Sequence, residues 1–408
     1  MYRSLATATL LVATCNVTFA QDTQSFDRIE RGRYLSVLGD CAACHTAPGG
    51  QPFAGGLALQ TPFGKLVAPN ITPDRETGIG NMTDQEFIAA LHEGRGMNGK
   101  RLYPAMPYPA YTKMSEEDVL ALRAYFATVL PVSNRVIANQ LPFPFNIRQA
   151  MMFWNTVNFT PGRYRPDPQK SAEWNRGAYI VEGAAHCGTC HTPKTILGGD
   201  KNDEALAGAA LQGWFAPNIT TDSHRGIGAW SKDDLIEYLK TGTNNWTLAS
   251  GPMAEAVTHS TSRMTDEDIS AIATYLKDSG ERDSTRKPDP VVAEDNVMRA
   301  GAAIYKDSCA ACHTDSGTGE VHLFPRLAGS PLVQSGDPTT LVRMVLLGGR
   351  AGSTASMPTA PAMPAFDWRL NNAQIAAVLT YVRNSWGNAA SAVSSVAVAN
   401  QRDTGTRR

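Results

Sequence analysis

The feature of this chain that most constrains its fold is the motif C-x-x-C-H, which occurs three times in 408 residues. Apart from Cys15, every cysteine belongs to one of these motifs. Two thiols at this spacing can each add across one vinyl group of a haem, and the histidine then faces the iron from the same side. The sequence therefore predicts three covalently attached c-type haems. The residues concerned are Cys41, Cys44 and His45; Cys187, Cys190 and His191; and Cys309, Cys312 and His313.

Other uses of paired cysteines fit this pattern less well. Disulfide pairing in an exported chain does not require a histidine directly after each pair. A zinc site at each motif would need further ligands, and no spare cysteine exists outside the N-terminal segment. The repeated histidine therefore favours haem over both alternatives.

Each haem iron needs a second axial ligand, and a methionine follows each motif at a similar offset. Met106 lies in Tyr-Pro-Ala-Met-Pro, Met253 in Gly-Pro-Met-Ala and Met363 in Pro-Ala-Met-Pro. A thioether held in such a Pro- or Gly-marked loop can reach the iron, and Met/His ligation raises the haem potential. We predict these three methionines as the axial partners of the motif histidines.

Several other side chains stay open as alternative ligands. Met357 competes with Met363, and a lone methionine can also simply fill a core. Five histidines lie outside the motifs, and none recurs in all three units, so we expect surface or hydrogen-bonding roles for them. The weaker methionine rivals are Met97, Met114 and Met264. The histidines are His92, His186, His224, His259 and His322.

A proline follows each motif at a comparable place. Pro69 and Pro217 lie in repeated Ala-Pro-Asn-Ile-Thr segments, and Pro325 lies in Phe-Pro-Arg-Leu-Ala. Proline has no N–H, but its carbonyl can accept a hydrogen bond from the second nitrogen of an axial histidine, which fixes the ring. Ordinary turn prolines are the alternative interpretation.

The helix pattern around the motifs also repeats, which predicts three copies of one helical domain. Helices over 29–38, 173–182 and 297–306 lead into the motifs, and each contains a glycine that would let another helix approach closely. Middle helices are predicted to start at Thr83, Ser231 and Asp337-Pro338 and to end at Gly94, Gly242 and Gly348. Final helices are predicted to start at Ser115, Thr265 and Asn371. Strand patterns are scarce, so the predicted class is all-α.

The N-terminus is typical of an export signal. Arg3 precedes an apolar run, and a small-residue cleavage site follows before Gln21, which predicts a signal peptide over 1–20. A buried first helix and lipoprotein processing at Cys15 are the alternatives. No later segment approaches the ~20 apolar residues that a membrane-spanning helix needs, so we expect an exported protein that is soluble or attached to a surface.

The predicted domains are joined by two segments of different composition. Residues 131–172 form a connector rich in proline and aromatic residues, which fits a docking or membrane-surface element or packing between domains. The formal net charge is −1 without a basic block, which argues against a nucleic-acid partner. The predicted boundaries are 25–130, 173–280 and 297–387 for the domains, 281–296 for a linker and 388–408 for a flexible tail.

These motifs resemble those of a known family. Gly-Asp-Cys-Ala-Ala-Cys-His at the first motif, Tyr-Pro-Ala-Met-Pro-Tyr-Pro around Met106 and the closing Trp-Gly-Asn resemble the triheme cytochrome c subunits of membrane-associated bacterial dehydrogenases. The catalytic partners in that family oxidise alcohols, aldehydes, gluconate, sorbitol or fructose. The resemblance covers residues 25 to 390 or so and implies three tandem cytochrome c-like domains, each wrapped around one haem.

The resemblance also implies a role. A dehydrogenase subunit carrying pyrroloquinoline quinone, flavin or molybdenum would oxidise the substrate, and this chain would pass the electrons to membrane ubiquinone. It would lie on the periplasmic side of the cytoplasmic membrane, peripheral rather than spanning, and would not act on substrate alone. The alternatives are a free periplasmic shuttle to a terminal oxidase, and a haem peroxidase in which one iron lacks its methionine.

Overall fold

The computed structural model describes residues 25–211, 213–280 and 288–405. The predicted signal peptide over 1–20 and the first part of the predicted linker lie outside the described residues. Within those ranges the regular structure is mostly helical, as predicted, and the strands form two-stranded antiparallel sheets.

Residues 25–130 begin with a long helix that leads directly into the short helix of the first motif. A hairpin and further helices follow. These elements are α1 (Phe26–Leu38), α2 (Cys41–His45), β1 (Ala58–Thr61), β2 (Gly64–Val67), α3 (Asp84–Glu93), α4 (Tyr108–Tyr111) and α5 (Glu116–Phe126).

The same order of elements recurs after the connector, which itself contains α6 (Met151–Asn158). A single π-helical turn at Ile180–Ala184 continues the opening helix of this part and brings it to the second motif. The elements are α7 (Ala172–Tyr179), α8 (Gly188–His191), β3 (Ala209–Leu211), β4 (Trp214–Ala216), α9 (Lys232–Thr241), α10 (Pro252–His259) and α11 (Asp266–Leu276).

The last part of the chain keeps the opening and final helices but rearranges what lies between them. A short helix follows the motif where the first two parts have a hairpin, and the hairpin comes later. The elements are α12 (Asn296–Ser308), α13 (Ala310–His313), α14 (Pro331–Gln334), α15 (Thr339–Leu347), β5 (Gly349–Arg350), β6 (Ala362–Met363), α16 (Asn372–Arg383) and α17 (Ser395–Gly405).

The predicted middle helices start and end largely where the capping signals place them. Thr83 and Ser231 each form a complete capping box, and Gly94 and Gly242 end the helices in the left-handed conformation. The third start is different.

Helix α15 begins at Thr339, so Pro338 precedes the helix instead of forming part of its first turn. Asp337 Oδ1 accepts a hydrogen bond from the Thr339 N–H at 2.7 Å, so Asp337 still caps the first N–H group of the helix. The end at Gly348 is as predicted.

The hairpins were not predicted. Their strands are two to four residues long, which is too short for an alternating pattern to be recognised in the sequence.

The opening and final helices cross in direct contact in all three parts. A Cβ placed on Gly32 would lie 1.9 Å from the carbonyl oxygen of Ala121, and one on Gly177 would lie 2.0 Å from that of Ala271. At Gly301 the corresponding distance is 2.3 Å, to the carbonyl oxygen of Ala377. Only glycine permits this approach, as expected from the sequence.

Buried apolar side chains form two main clusters. The larger one includes residues of both the first and the second parts, such as Leu35, Val119, Ile180 and Ile269. The other consists of residues from 305 onward, including Ile375. The first two parts therefore share a core, whereas the third has its own.

The connector packs closely on the rest of the chain along part of its length. The Val67 N–H donates to Asn139 Oδ1 at 2.9 Å, which extends the β1–β2 hairpin contact. Trp154 is buried, and its indole N–H donates to the carbonyl of Leu197 at 2.8 Å. The connector thus spans from the first part to the second.

Residues 388–405 are folded, contrary to the expectation of a flexible tail. Val393 and Val398 are buried against the third core. Arg402 donates to the carbonyls of Asp367 and Leu370, both at 2.9 Å. Small residues suggested mobility, but here they allow the chain to pack tightly beneath α16.

Among the helices of residues 25–211, 213–280 and 288–405, none is both long and apolar enough to cross a bilayer.

The Gly177 crossing gives a testable prediction. Gly177→Ala would force a methyl group against the Ala271 carbonyl, and we expect it to lower the free energy of unfolding by about 1–3 kcal/mol. Chemical denaturation measures this. Gly162→Ala is the matched control, because a Cβ there meets nothing within 4 Å, and a change within about 0.5 kcal/mol is expected. Equal stability of the two variants would contradict the crossing.

His92 gives a second prediction. It is buried at the end of α3, and burial, with a smaller contribution from Arg163, lowers its pKa to about 4. The unfolded chain binds a proton near pH 6.5, while the folded chain does so only near the lower value. Stability should therefore fall as the pH drops from about 6.5 to about 4.

The measurement is denaturation of the wild type and of His92→Leu at a series of pH values. The wild type should lose more stability than the variant across this interval. Parallel curves for the two proteins would show that His92 does not contribute.

Candidate haem sites

Each motif lies on a short helix that directly follows an opening helix. Residues 41–45 form α2, while Cys187 and Cys309 stand at the starts of α8 and α13. Before the first two motifs the chain turns sharply through a left-handed residue, Asp40 at φ 44° and His186 at φ 42°. One helical turn thus presents two thiols and an imidazole together.

The three motif histidines share one hydrogen bond. His45 Nδ1 donates to the carbonyl of Pro69 at 2.8 Å, and His191 Nδ1 donates to that of Pro217 at 2.7 Å. In the third motif His313 Nδ1 lies 3.0 Å from the carbonyl oxygen of Pro325. Because this bond occupies Nδ1, Nε2 is the ring nitrogen left to bind a metal ion.

Burial also sets the protonation of these side chains. It lowers the pKa of His45, His191 and His313, which favours the neutral imidazole that can ligate iron. It raises the pKa of Cys41 and Cys187 to about 12. These thiols are therefore protonated at neutral pH.

The first site opens into a cavity of about 2490 Å³. Cys41, Cys44, His45 and Met106 all line it, so the structure brings the predicted residues of this site to one space. Two thiols, an imidazole and a thioether around an apolar cavity fit a c-type haem. Met97 and Met114 line the same cavity, so the lining alone does not identify which methionine is the axial ligand.

The cavity extends from the first site to the second, where Cys190 also lines it. The charges of Asp40 and Glu255 and of the Cys190 thiol add to burial in raising the pKa of Cys44 to about 11. The first two motifs are therefore near neighbours. Of the described residues, His191, Met253, His313 and Met363 are not among those that line this cavity.

The other two methionines have different settings. Met253 is the second residue of α10, after Gly251 at φ 55°, and packs against the buried cluster of Ala249, Ala254 and Val257. Met363 lies in β6, paired with Gly349, and not in the loop that the sequence suggested. The rival Met264 is fully buried, whereas Met357 lies in a loop held by a bond from its N–H to Thr354.

The connector contributes to the first site, a contact that the sequence did not indicate. The Arg148 guanidinium lies 4.6 Å from the centre of the Tyr103 ring, and Tyr103 donates to the Phe145 carbonyl at 2.9 Å. These contacts hold the loop that carries Met106. The aromatic residues of the connector were the available signal, but their partner could not be read from spacing.

The hydrogen-bonding role expected of the remaining histidines is seen at several of them. His186 Nε2 donates to the Gly39 carbonyl at 3.1 Å, and His224 Nε2 donates to the Ala389 carbonyl at 3.0 Å. His322 lies 3.5 Å from Glu237, and His259 is exposed.

Comparison with known proteins shows that this chain is similar to cytochrome c subunits. The family profile described as cytochrome c matches residues 175–280 and 298–386. The gluconate 2-dehydrogenase cytochrome c subunit of Pantoea cypripedii is 42% identical, over 94% of this chain and 91% of its own length.

Two further relatives also match this chain over most of its length and of their own. The fructose dehydrogenase cytochrome subunit of Gluconobacter japonicus is 40% identical, over 98% of this chain and 88% of its own length. The cytochrome c subunit of the quinone alcohol dehydrogenase of Gluconobacter oxydans is 37% identical, over 97% and 86% respectively.

Proposed function

The chain belongs to the family of cytochrome c subunits of bacterial dehydrogenases, and we propose that it carries electrons from a catalytic subunit to membrane ubiquinone through three haems. The catalytic subunit would carry pyrroloquinoline quinone, flavin or molybdenum and oxidise an alcohol, an aldehyde or a sugar. The complex would face the periplasm, with this chain exported by its N-terminal signal.

One observation carries the proposal: the same arrangement of two thiols and a carbonyl-bound imidazole occurs three times. A haem bound at each motif would supply one-electron redox chemistry. The protein's part is to hold the axial imidazole by its proline carbonyl, to exclude water by burial and to supply a methionine. Three tandem domains, with boundaries at 25–130, 173–280 and 297–387, would each hold one haem.

With both axial positions filled, no iron would remain open to peroxide or oxygen. That supports a relay over a peroxidase. The axial pairs we propose are His45 with Met106, His191 with Met253 and His313 with Met363.

The connector supports membrane association of this chain. Its apolar side chains Phe143, Met152 and Val157 are 78%, 56% and 58% exposed, and they do not line the cavity of the first site. Apolar residues so exposed on one segment commonly mark an interaction surface. We propose that this segment rests on the membrane, which would make the chain peripheral. The surface that we propose for this contact consists of Phe143, Met152 and Val157.

The third axial ligand can be tested by a matched pair. Met363→Leu should lower the midpoint potential of one haem, because Met/His ligation raises that potential. Met357→Leu should leave all potentials unchanged. Redox titration of the purified holoprotein followed by absorbance is the measurement, and the opposite pattern would assign the ligand to Met357.

The function itself is tested by purification with and without a partner. The holoprotein alone should oxidise no alcohol, aldehyde or sugar, whether or not quinone is added. The same chain in a stable complex with a dehydrogenase should be reduced when substrate is added. Turnover by the chain alone would overturn the proposal, and a purely monomeric cytochrome that passes electrons to an oxidase would favour the free shuttle.

A further inference from the structure

The final helices of the first two units begin with incomplete caps. In a capping box, the side chain three residues into the helix reaches back to the N–H of the capping residue. Asn371 and Gln374 close such a box within the third unit, where the Asn371 N–H donates to Gln374 at 2.9 Å. At α5 and α11 the box does not close in this way.

A tyrosine from the other unit completes each of these caps. The Ser115 N–H at the start of α5 donates to the hydroxyl of Tyr179 at 3.1 Å, and that hydroxyl donates to Asp118. The relation is mirrored at α11. There the Thr265 N–H donates to the Tyr34 hydroxyl at 3.0 Å.

That same Tyr34 hydroxyl donates to Asp268 at 2.8 Å. Each tyrosine lies on the opening helix of one unit, and each cap lies on the final helix of the other. The two contacts are therefore reciprocal.

Both carboxylates depend on these partners. The side chains of Asp118 and Asp268 are only 2% and 8% exposed. Each also binds an arginine of its own unit, Arg31 for Asp118 and Arg176 for Asp268. Burial raises the pKa of Asp268, but bonds from Arg176 and Tyr34 outweigh it and hold the pKa below its usual range. A buried carboxylate that loses a donor is costly.

The third unit lacks this device. Ala303 stands two residues after Gly301, where Tyr34 and Tyr179 follow their own glycines. Tyr305 donates instead to the carbonyl of Thr314 within its own unit, at 2.7 Å. The third unit accordingly has its own core, while the first two share one.

The paired units also touch beside their motifs. The His186 ring donates to the carbonyl of Gly39 at 3.1 Å, so the residue before Cys187 contacts the turn before Cys41. An element that fixes the two units thus fixes the two motifs relative to each other.

We propose that Tyr34 and Tyr179 are positioning residues that join the first two units into one two-haem body and set the electron exchange between those haems. The proposal rests on the proposed electron-transfer function. The third unit attaches differently, through Thr340, whose hydroxyl bonds both the N–H and the carbonyl of Phe215 at 2.7 and 3.0 Å.

The test uses the full-length holoprotein with Tyr34→Phe, Tyr179→Phe and the double variant. Tyr305→Phe is the matched control, because it removes a hydroxyl that bonds within one unit. Hydrogen exchange should become roughly fivefold faster at the Ser115 amide in Tyr179→Phe and at the Thr265 amide in Tyr34→Phe, as expected for one lost hydrogen bond. The Asn371 amide should stay protected in every variant.

The decisive readout is electron equilibration after a one-electron pulse, followed by haem absorbance. The double variant should equilibrate several-fold more slowly between the first two haems, with the haem content and the third haem's potential unchanged. If the double variant does not assemble, the equilibration rates of the single variants are compared with that of the wild type, and a smaller slowing is expected.

The outcomes separate cleanly. Equilibration at the wild-type rate despite lost amide protection would limit the tyrosines to helix capping and overturn the proposal. Retained protection at both amides would show that the reciprocal bonds do not form. Failure of the proposed function would appear already in the wild type, as fewer than three haems by mass or no electron uptake from a dehydrogenase.

Discussion

The close crossing of an opening and a final helix is the contact on which the rest of this structure depends. Each crossing is made at a glycine whose missing side chain lets a backbone carbonyl take its place. That contact fixes how the opening helix lies against the final helix, and the motif follows within a few residues of the opening helix's end. The positions of thiols and imidazole are thus determined by packing several turns away from them.

Many of the helix boundaries and motif contacts could be predicted because they depend on residues that are close together in the sequence. Capping residues at Thr83, Ser231 and Thr265 mark helix starts, and left-handed glycines mark ends, since these preferences depend on a few neighbouring atoms. The proline that follows each motif is likewise a local regularity, and its carbonyl lies beside the motif histidine in all three parts.

What could not be predicted depends on contacts between distant residues. The sequence at Ser115 and Asp118 looks like an ordinary cap, and nothing near it indicates that Tyr179 completes it. The contact of Arg148 with Tyr103 is equally remote. The loop predicted around Met363 was wrong for a related reason. Met363 lies in a two-residue strand, and such a short strand forms only because it pairs with another strand.

The folded C-terminal segment has a practical consequence. Val393 and Val398 complete the third core, and Arg402 ties the last helix to the loop before α16. A recombinant chain cut at residue 387 would expose the apolar residues that Val393 and Val398 cover, and it would tend to aggregate. An affinity tag is better joined after the last helix through a flexible spacer than fused in place of that helix.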